Sequence, residues 1–373
     1  MMTVGRKFFW LLSFLSMPYT VSADMNITVV TPVDGDFKYF SEELINGAKV
    51  AVDEINENGG LNGKKVNLIQ IDDPCDDTLS LTTAQMIAVN RSDDDKMHLV
   101  LGPQCPNRTE EVADIFAKAQ IFQIHPIGSS NILYNNKHKN VIEFIGFSEQ
   151  QAVDFFRFYA DNYADKKLAV VYDSSSQEKT EIAKEIQRHF TKAGMGEKLT
   201  AFSTDPSKGD GRLLAQAIKA SGAEAVFLMG QAKLTTDAAK YLKADNPDFI
   251  VFVNRYFVGK KFLRQMGDQA EGVYVLALPP LNNNPNFAED LVKLRLWGIE
   301  PEGLMAYGYL SVRLWQKLAN TVGSFDYNEM HKTLNKQLVQ TGWGNVVYTD
   351  GVPDRSLKYV IYRIEKGEYT QVY

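Results

Sequence analysis

The sequence predicts an α/β protein made of two doubly wound, parallel-sheet halves, and three observations carry that expectation. Short β-rich apolar runs alternate with amphipathic helical stretches. The alternation runs once to about His125 and then begins again near Gln150. A Pro279-Pro280 pair and the polar loop Asn282-Asn283-Asn284-Pro285 then set off a late helical block. Strand-helix-strand order requires crossover connections, which make neighbouring strands parallel and put helices on both sheet faces. A chain of 373 residues exceeds one compact core, and 45% hydrophobic with 23% charged is an ordinary globular balance.

The first half opens with MNITVVTPV from Met25, a strand that ends in the turn material Asp34-Gly35-Asp36. From Glu42 to Asn56, Ile45, Ala48, Val52 and Ile55 recur at helical spacing, and the helix stops at Asn58-Gly59-Gly60. VNLIQI from Val66 is the next strand, Leu79 to Asn90 a helix, and MHLVLG from Met97 a buried strand. Thr109 to Ala119 is helical and IFQIHP from Ile121 is a strand. In the second half, helices are expected at Gln150–Tyr163, Gln177–Gly194, from Leu213 and at Leu234–Ala244. Strands are expected from Leu168, Ala225, Phe249 and Val273. Beyond the linker come helices at Asn286–Trp297, Gly303–Thr321 and Tyr327–Gln340, then β-like runs at Asn345–Thr349 and Leu357–Ile364.

Forty Lys plus Arg against 46 Asp plus Glu leave a scattered net charge of −6, which argues against a nucleic-acid or anionic-membrane surface. The first strand runs into PVDGDF rather than a G-x-G-x-x-G turn. Gly59 to Lys65 lacks P-loop spacing, and no G-x-S-x-G elbow occurs. His125 sits at a strand end, where a hydrogen-bonded structural role is the expectation, and Asp72 and Asp73 read as solvent-facing loop caps. Arg6 and Lys7 precede the apolar run Phe8 to Met17 and the string Val21-Ser22-Ala23, a secretory signal peptide over residues 1–23 cleaved after Ala23. In an oxidising compartment Cys75 and Cys105 form a disulfide, the alternative being two buried free thiols.

The run NGAKVAVDEINENGGLNGKKVNLIQIDDPCDD, from Asn46 to Asp77, closely resembles periplasmic solute-binding proteins of the leucine/isoleucine/valine type. The resemblance continues through LVLGPQC and, more weakly, FQIHPIGSSN, LAVVYDSSSQ, AVFLMGQ and TDGVPDRSLKYVIYRI. It implies the type I periplasmic binding protein fold, two lobes joined by three hinge crossings, here placed near Gly146, Leu278 and Gly344. Lobe 1 would then be 24–146 plus 279–344, and lobe 2 would be 147–278 plus 345–373. It further implies an exported, non-enzymatic monomer without metal or cofactor, which closes on a small polar ligand of amino-acid, acid or amide type. Delivery would be to the permease subunits of an ABC importer. The same fold also serves ligand-sensing receptors that feed a signalling partner. Cys105 matches the partner of Cys75 in the family's disulfide.

Carried over position by position, the resemblance places Ser129 and its neighbour Ser130 at the carboxylate-binding helix start, a natural anion site. Where the family has a serine after the second cysteine this chain has Pro106, so that contact is either lost or moved to Asn107. Phe40 occupies the first-loop aromatic position. In lobe 2 the family's aromatic residues fall on Gln177 and Gln231. Its ammonium-pairing acid, expected after FIVFV, is replaced by Asn254-Arg255-Tyr256. The expectation is a ligand other than leucine, isoleucine or valine: a desolvated ammonium loses its carboxylate, and it meets either the like charge of Arg255, which repels it, or only the weaker Tyr256.

Overall fold

A computed structural model describes residues 25–34, 38–90, 99–104, 108–128, 140–205, 209–301, 303–335, 338–349, 351–354 and 356–373. Two parallel sheets form its frame. The first joins β1 (Met25–Thr31), β2 (Val66–Asp72), β3 (Leu99–Leu101), β4 (Phe122–His125) and β5 (Val141–Glu143) in the order β2-β1-β3-β4-β5. Every pairing in it is parallel. Side chains of β1 alternate between two apolar layers. Ile27 and Val29 pack with Leu44, Ala48 and Val52 of α1 (Lys38–Glu57), whereas Val30 packs with Ala84 and Ile87 of α2 (Asp77–Val89) and Val112 and Phe116 of α3 (Thr109–Lys118). That is the doubly wound arrangement the alternation requires.

The second sheet takes β6 (Leu168–Asp173), β7 (Leu199–Thr204), β8 (Ala225–Met229), β9 (Ile250–Val253) and β10 (Tyr274–Ala277) in the parallel order β7-β6-β8-β9-β10. Leu168 and Val170 face the layer holding α4 (Glu149–Tyr163) and α5 (Gln177–Lys192). Ala169 and Val171 face α6 (Gly211–Ala220) and α7 (Ala232–Asp245). The short α8 (Lys260–Met266) precedes β10.

After β10 the chain returns to the first sheet. The helices α9 (Ala288–Leu296) and α10 (Met305–Val322) follow, and α10 lies against α1 so closely that neither helix can carry a side chain at the crossing. A Cβ at Gly47 would sit 1.8 Å from the Met305 carbonyl oxygen, and one at Gly308 would sit 2.0 Å from that of Leu44. Next comes α11 (Tyr327–Leu334), and here the structure departs from the expected helix through Gln340. Leu338–Thr341 is a strand, β11, forming a small antiparallel sheet with β12 (Gly344–Thr349) and β13 (Val352–Pro353). Gly344, expected at a crossing, therefore starts a strand of this extra sheet. The chain rejoins the second sheet only at β14 (Val360–Glu365), antiparallel to β10, and ends with β15 (Glu368–Gln371).

Two of the passages between the sheets run side by side. Leu357 donates its amide to the Ile145 carbonyl (2.9 Å), and the Phe147 amide donates to Ser356 Oγ (2.8 Å). Gly146 lies between them at φ +85°, where a Cβ would also meet Ser356 Oγ at 2.5 Å, so glycine is required twice over.

Candidate functional site

In open α/β sheets the strands end toward the crevice where ligands bind. Here the carboxyl ends of both sheets face one another. From the first come Gly102-Pro103-Gln104 after β3, His125 to Gly128 at β4 and Glu143 at β5. From the second come Gln177 and Glu178 after β6 and Arg255 and Tyr256 after β9. They enclose a polar chamber of about 220 Å³. A second chamber of about 580 Å³ adjoins it and shares Ile127, Arg255 and Tyr256 as a partition.

Arg255 is the centre of the partition. A 3₁₀ turn, Arg255–Phe257, begins directly after β9, and Asn254 caps it by accepting the Tyr256 amide at 3.3 Å. That turn aims Arg255 inward, where Nη1 donates to the Tyr359 hydroxyl (2.8 Å). Nη2 contacts Glu178 Oε1 (2.9 Å), the Tyr256 hydroxyl (3.0 Å) and the Ile127 carbonyl (3.0 Å). Ile127 follows a strand of the first sheet, so this last bond spans the cleft. Tyr359 is fixed in turn by its amide, which donates to the buried Asp154 Oδ2 (2.8 Å). Burial opposes a charged guanidinium, but the Glu178 carboxylate, with the Tyr256 and Tyr359 hydroxyls, outweighs it and holds Arg255 above its ordinary pKa. Burial likewise pushes the Tyr256 phenol up to about 12, against the pull of Arg255, so it stays neutral and donates to Glu178 Oε2 (3.3 Å).

Across the cleft, Gln123 Nε2 donates to the Gly102 carbonyl (2.8 Å) and reaches His125 Nε2 (2.8 Å). An amide nitrogen can only donate, so His125 Nε2 accepts and its Nδ1–H faces Glu143 Oε1 at 3.6 Å. His125 is thus held in a buried network and also lines the polar chamber. Among the described residues, two donors of the lining have no hydrogen-bond partner, Gln104 Nε2 and Arg255 Nε. Asp73, expected at the surface, is buried; it accepts from Ser80 Oγ (2.6 Å) and the Cys75 amide (3.1 Å).

The residues proposed from sequence fare unequally. Phe40, Gln177, Arg255 and Tyr256 come together, Phe40 meeting Tyr256 edge-on across the cleft at 6.1 Å. Gln177 is exposed at the chamber rim and donates to Glu181 Oε1 (3.1 Å). Gln231 is exposed ahead of α7 and lines neither chamber. Asn107, Ser129, Ser130 and Cys105 lie outside the described residues. Cys75 is not a free thiol. The residue that sequence reasoning missed is Glu178. The lobe 2 acid was sought only after β9, whereas it stands at the start of α5, one position beyond Gln177. With Glu178 against it, Arg255 presents a neutral pair rather than the bare positive charge expected to repel an ammonium. Among the described residues no cluster of His, Cys, Asp or Glu could hold a metal ion, and no helix is long and apolar enough to cross a membrane.

Among known proteins, the Leu/Ile/Val-binding protein homolog 1 of Brucella melitensis is 27% identical over 350 residues, covering 92% of this chain and 91% of its own. An amino acid binding protein of Pseudomonas aeruginosa is 26% identical over 354 residues, covering 94% and 93%. The solved leucine binding protein of Thermotoga maritima superposes with a TM-score of 0.80 at 16% identity, covering 94% of this chain and 98% of that one. A solute binding protein of R. palustris in complex with benzoate gives 0.76 at 15% identity, covering 94% and 96%. These superpositions establish a type I periplasmic binding protein fold. The profile of the periplasmic binding protein family matches residues 24–368, and the chain belongs to that family, whose members bind solutes without transforming them.

Proposed function

We propose that this solute-binding protein is exported to the periplasm, captures a small polar ligand of amino-acid type between its lobes and delivers it to the permease subunits of an ABC importer. The observation that carries the reading is the bond from Arg255 to the Ile127 carbonyl, flanked by the Phe40–Tyr256 ring contact. Groups following strands of different sheets meet there over a chamber with partnerless buried donors, an arrangement suited to closing around a ligand. Lobe 1 is proposed as residues 24–146 and 279 to about Ser356, and lobe 2 as the remainder, with crossings near Gly146, Leu278 and Ser356 rather than Gly344. Export by cleavage after Ala23, a Cys75–Cys105 disulfide and a monomeric state complete the proposal. The ligands of its relatives, branched-chain amino acids and benzoate among them, support amino-acid or small carboxylate ligands.

The test is calorimetry of the purified mature protein against amino acids and small carboxylates, with small-angle scattering of ligand-free and saturated samples. Binding with a smaller radius of gyration on saturation is the expected result. Binding with an unchanged radius would replace hinge closure with a fixed cleft, and no binding across the panel would reject the ligand class.

A further inference from the structure

The larger chamber differs from the polar one in chemistry as well as size, and at about 580 Å³ it reaches the ~300–1,000 Å³ of small-molecule sites. Six rings line it, those of Tyr39, Phe40, Tyr256, Tyr307, Tyr362 and Tyr369. They come from α1, the turn after β9, α10, β14 and β15, so elements of both sheets contribute. Three of their hydroxyls are occupied by protein groups. Tyr256 is held by Arg255 and Glu178, Tyr307 donates to the Pro279 carbonyl (3.3 Å), and Tyr369 accepts the Gly259 amide (2.8 Å). Of the charged side chains, Glu43 accepts the Leu304 amide (2.8 Å), and Lys260 and Glu368 are exposed. The chamber therefore offers a guest chiefly ring and aliphatic surface. Rings pack edge-to-face or offset against other rings and gain more from a flat, polarisable partner than from a puckered or branched aliphatic one.

The polar chamber specifies the other end of the guest. Its carboxylates are all engaged. Glu111 meets Arg108 (2.8 Å), Glu143 meets His125 (3.6 Å), Glu178 meets Arg255 (2.9 Å) and Tyr256 (3.3 Å), and Glu110 has an interaction of its own. An incoming ammonium would be paired only by breaking one of these contacts. Donors are the unmet groups: among the described residues, Gln104 Nε2 and Arg255 Nε are buried without a partner, and a guanidinium nitrogen can only donate. Arg255 lines both chambers, so one small molecule can set an acceptor beside it and a ring in the larger chamber. Resting on the reading above that a small ligand is captured between the lobes, we infer that the ligand is an aromatic acyl compound, a flat ring carrying a carboxylate or amide oxygen and no ammonium. The acyl oxygen accepts at the Arg255 partition, and the ring lies among the six rings beyond it.

Calorimetry with 3-phenylpropanoate, 3-phenylpropanamide, their two cyclohexyl counterparts, phenylalanine and leucine tests each part. The tighter of the two phenyl compounds, which tells acid from amide, should bind about tenfold or more tighter than its cyclohexyl counterpart. Phenylalanine, which is 3-phenylpropanoate with an ammonium added, should bind no tighter than that compound. Filling the ring-lined chamber with Leu304→Trp or Val258→Trp should weaken the tighter phenyl compound by about tenfold or more. A cyclohexyl compound binding as tightly, or phenyl binding untouched by both filling variants, overturns the placement of a ring. Phenylalanine binding about tenfold tighter than both phenyl compounds overturns the absence of an ammonium. Leucine binding where neither phenyl compound binds overturns the inference and leaves the capture of an amino acid between the lobes intact. The six compounds are compared on the unaltered protein, so the outcome holds even if a variant fails to fold.

Discussion

Replacing Glu178 with glutamine removes the carboxylate that, among the described residues, contacts Arg255, and leaves the guanidinium charged in place. Both side chains are nearly inaccessible, 6% for Arg255 and 10% for Glu178, so water cannot take over the lost role and no discount for screening applies. Breaking a buried pair by removing one partner costs about 3–5 kcal/mol. Arg255 keeps the Tyr359, Tyr256 and Ile127 bonds, and a glutamine carbonyl can still accept, which places the expected loss near the lower end, about 3 kcal/mol. For a chain of 373 residues the unfolding entropy is about 0.8 kcal/mol per kelvin, so the ligand-free melting temperature should fall by about 4 °C. The double variant Glu178→Gln/Arg255→Met removes the stranded charge as well and should recover at least about 1 kcal/mol of that loss. Scanning calorimetry on the parent, the Glu178→Gln and Arg255→Met single variants and the double variant measures both numbers. A single variant melting within about 1 °C of the parent, or a double variant no more stable than the single, would refute the claim that Glu178 neutralises Arg255.

Three other outcomes are expected. Gly47→Ala should destabilise by about 2 kcal/mol, because its Cβ would lie 1.8 Å from the Met305 carbonyl oxygen; helix propensity alone predicts the opposite sign, so a thermal melt separates the two. Burial depresses His331 from its ordinary 6.5 to about 4, so the folded state resists protonation. Its contribution is complete above pH 6.5 and lost as pH falls toward 4, about 3 kcal/mol in all, and His331→Phe should flatten urea-midpoint profiles over that window. Alkylation before and after reduction should differ by two thiols from Cys75 and Cys105, and reduction should cost about 3 kcal/mol, read as a lower melting temperature.

How far the sequence reaches depends on whether a feature is encoded locally. The parallel sheets were legible because each β-rich run and each helical stripe is a property of contiguous residues, and Ala48, Val52 and Ile55, with half-buried Ile45 beside them, mark the core face of α1 with no knowledge of its partner. Strand β7 escaped because only half-buried and exposed residues make it up, LTAFST, so neither alternation nor an apolar run marks it. The stretch after Leu334 misled for a related reason. Leu338 is exposed and Val339 buried, but one alternation inside KQLVQT cannot outweigh a preceding helical stripe. The site divides along the same line. Arg255 and Tyr256 were found because the family resemblance carries a binding position over to them, at a strand end where the fold delivers side chains to the cleft whatever their type. The charge state of that cleft was not found, since it depends on Glu178, 77 positions away on another element. An acid at the first turn of a helix has a local use, satisfying the helix dipole, and nothing in sequence separates that from a cross-element ion pair. The expectation that Arg255 repels an ammonium was therefore a statement about one residue where the physics belongs to two. Specificity in a two-lobed binder is set by such pairs, and its residues can be listed from strand ends long before their charges can be summed.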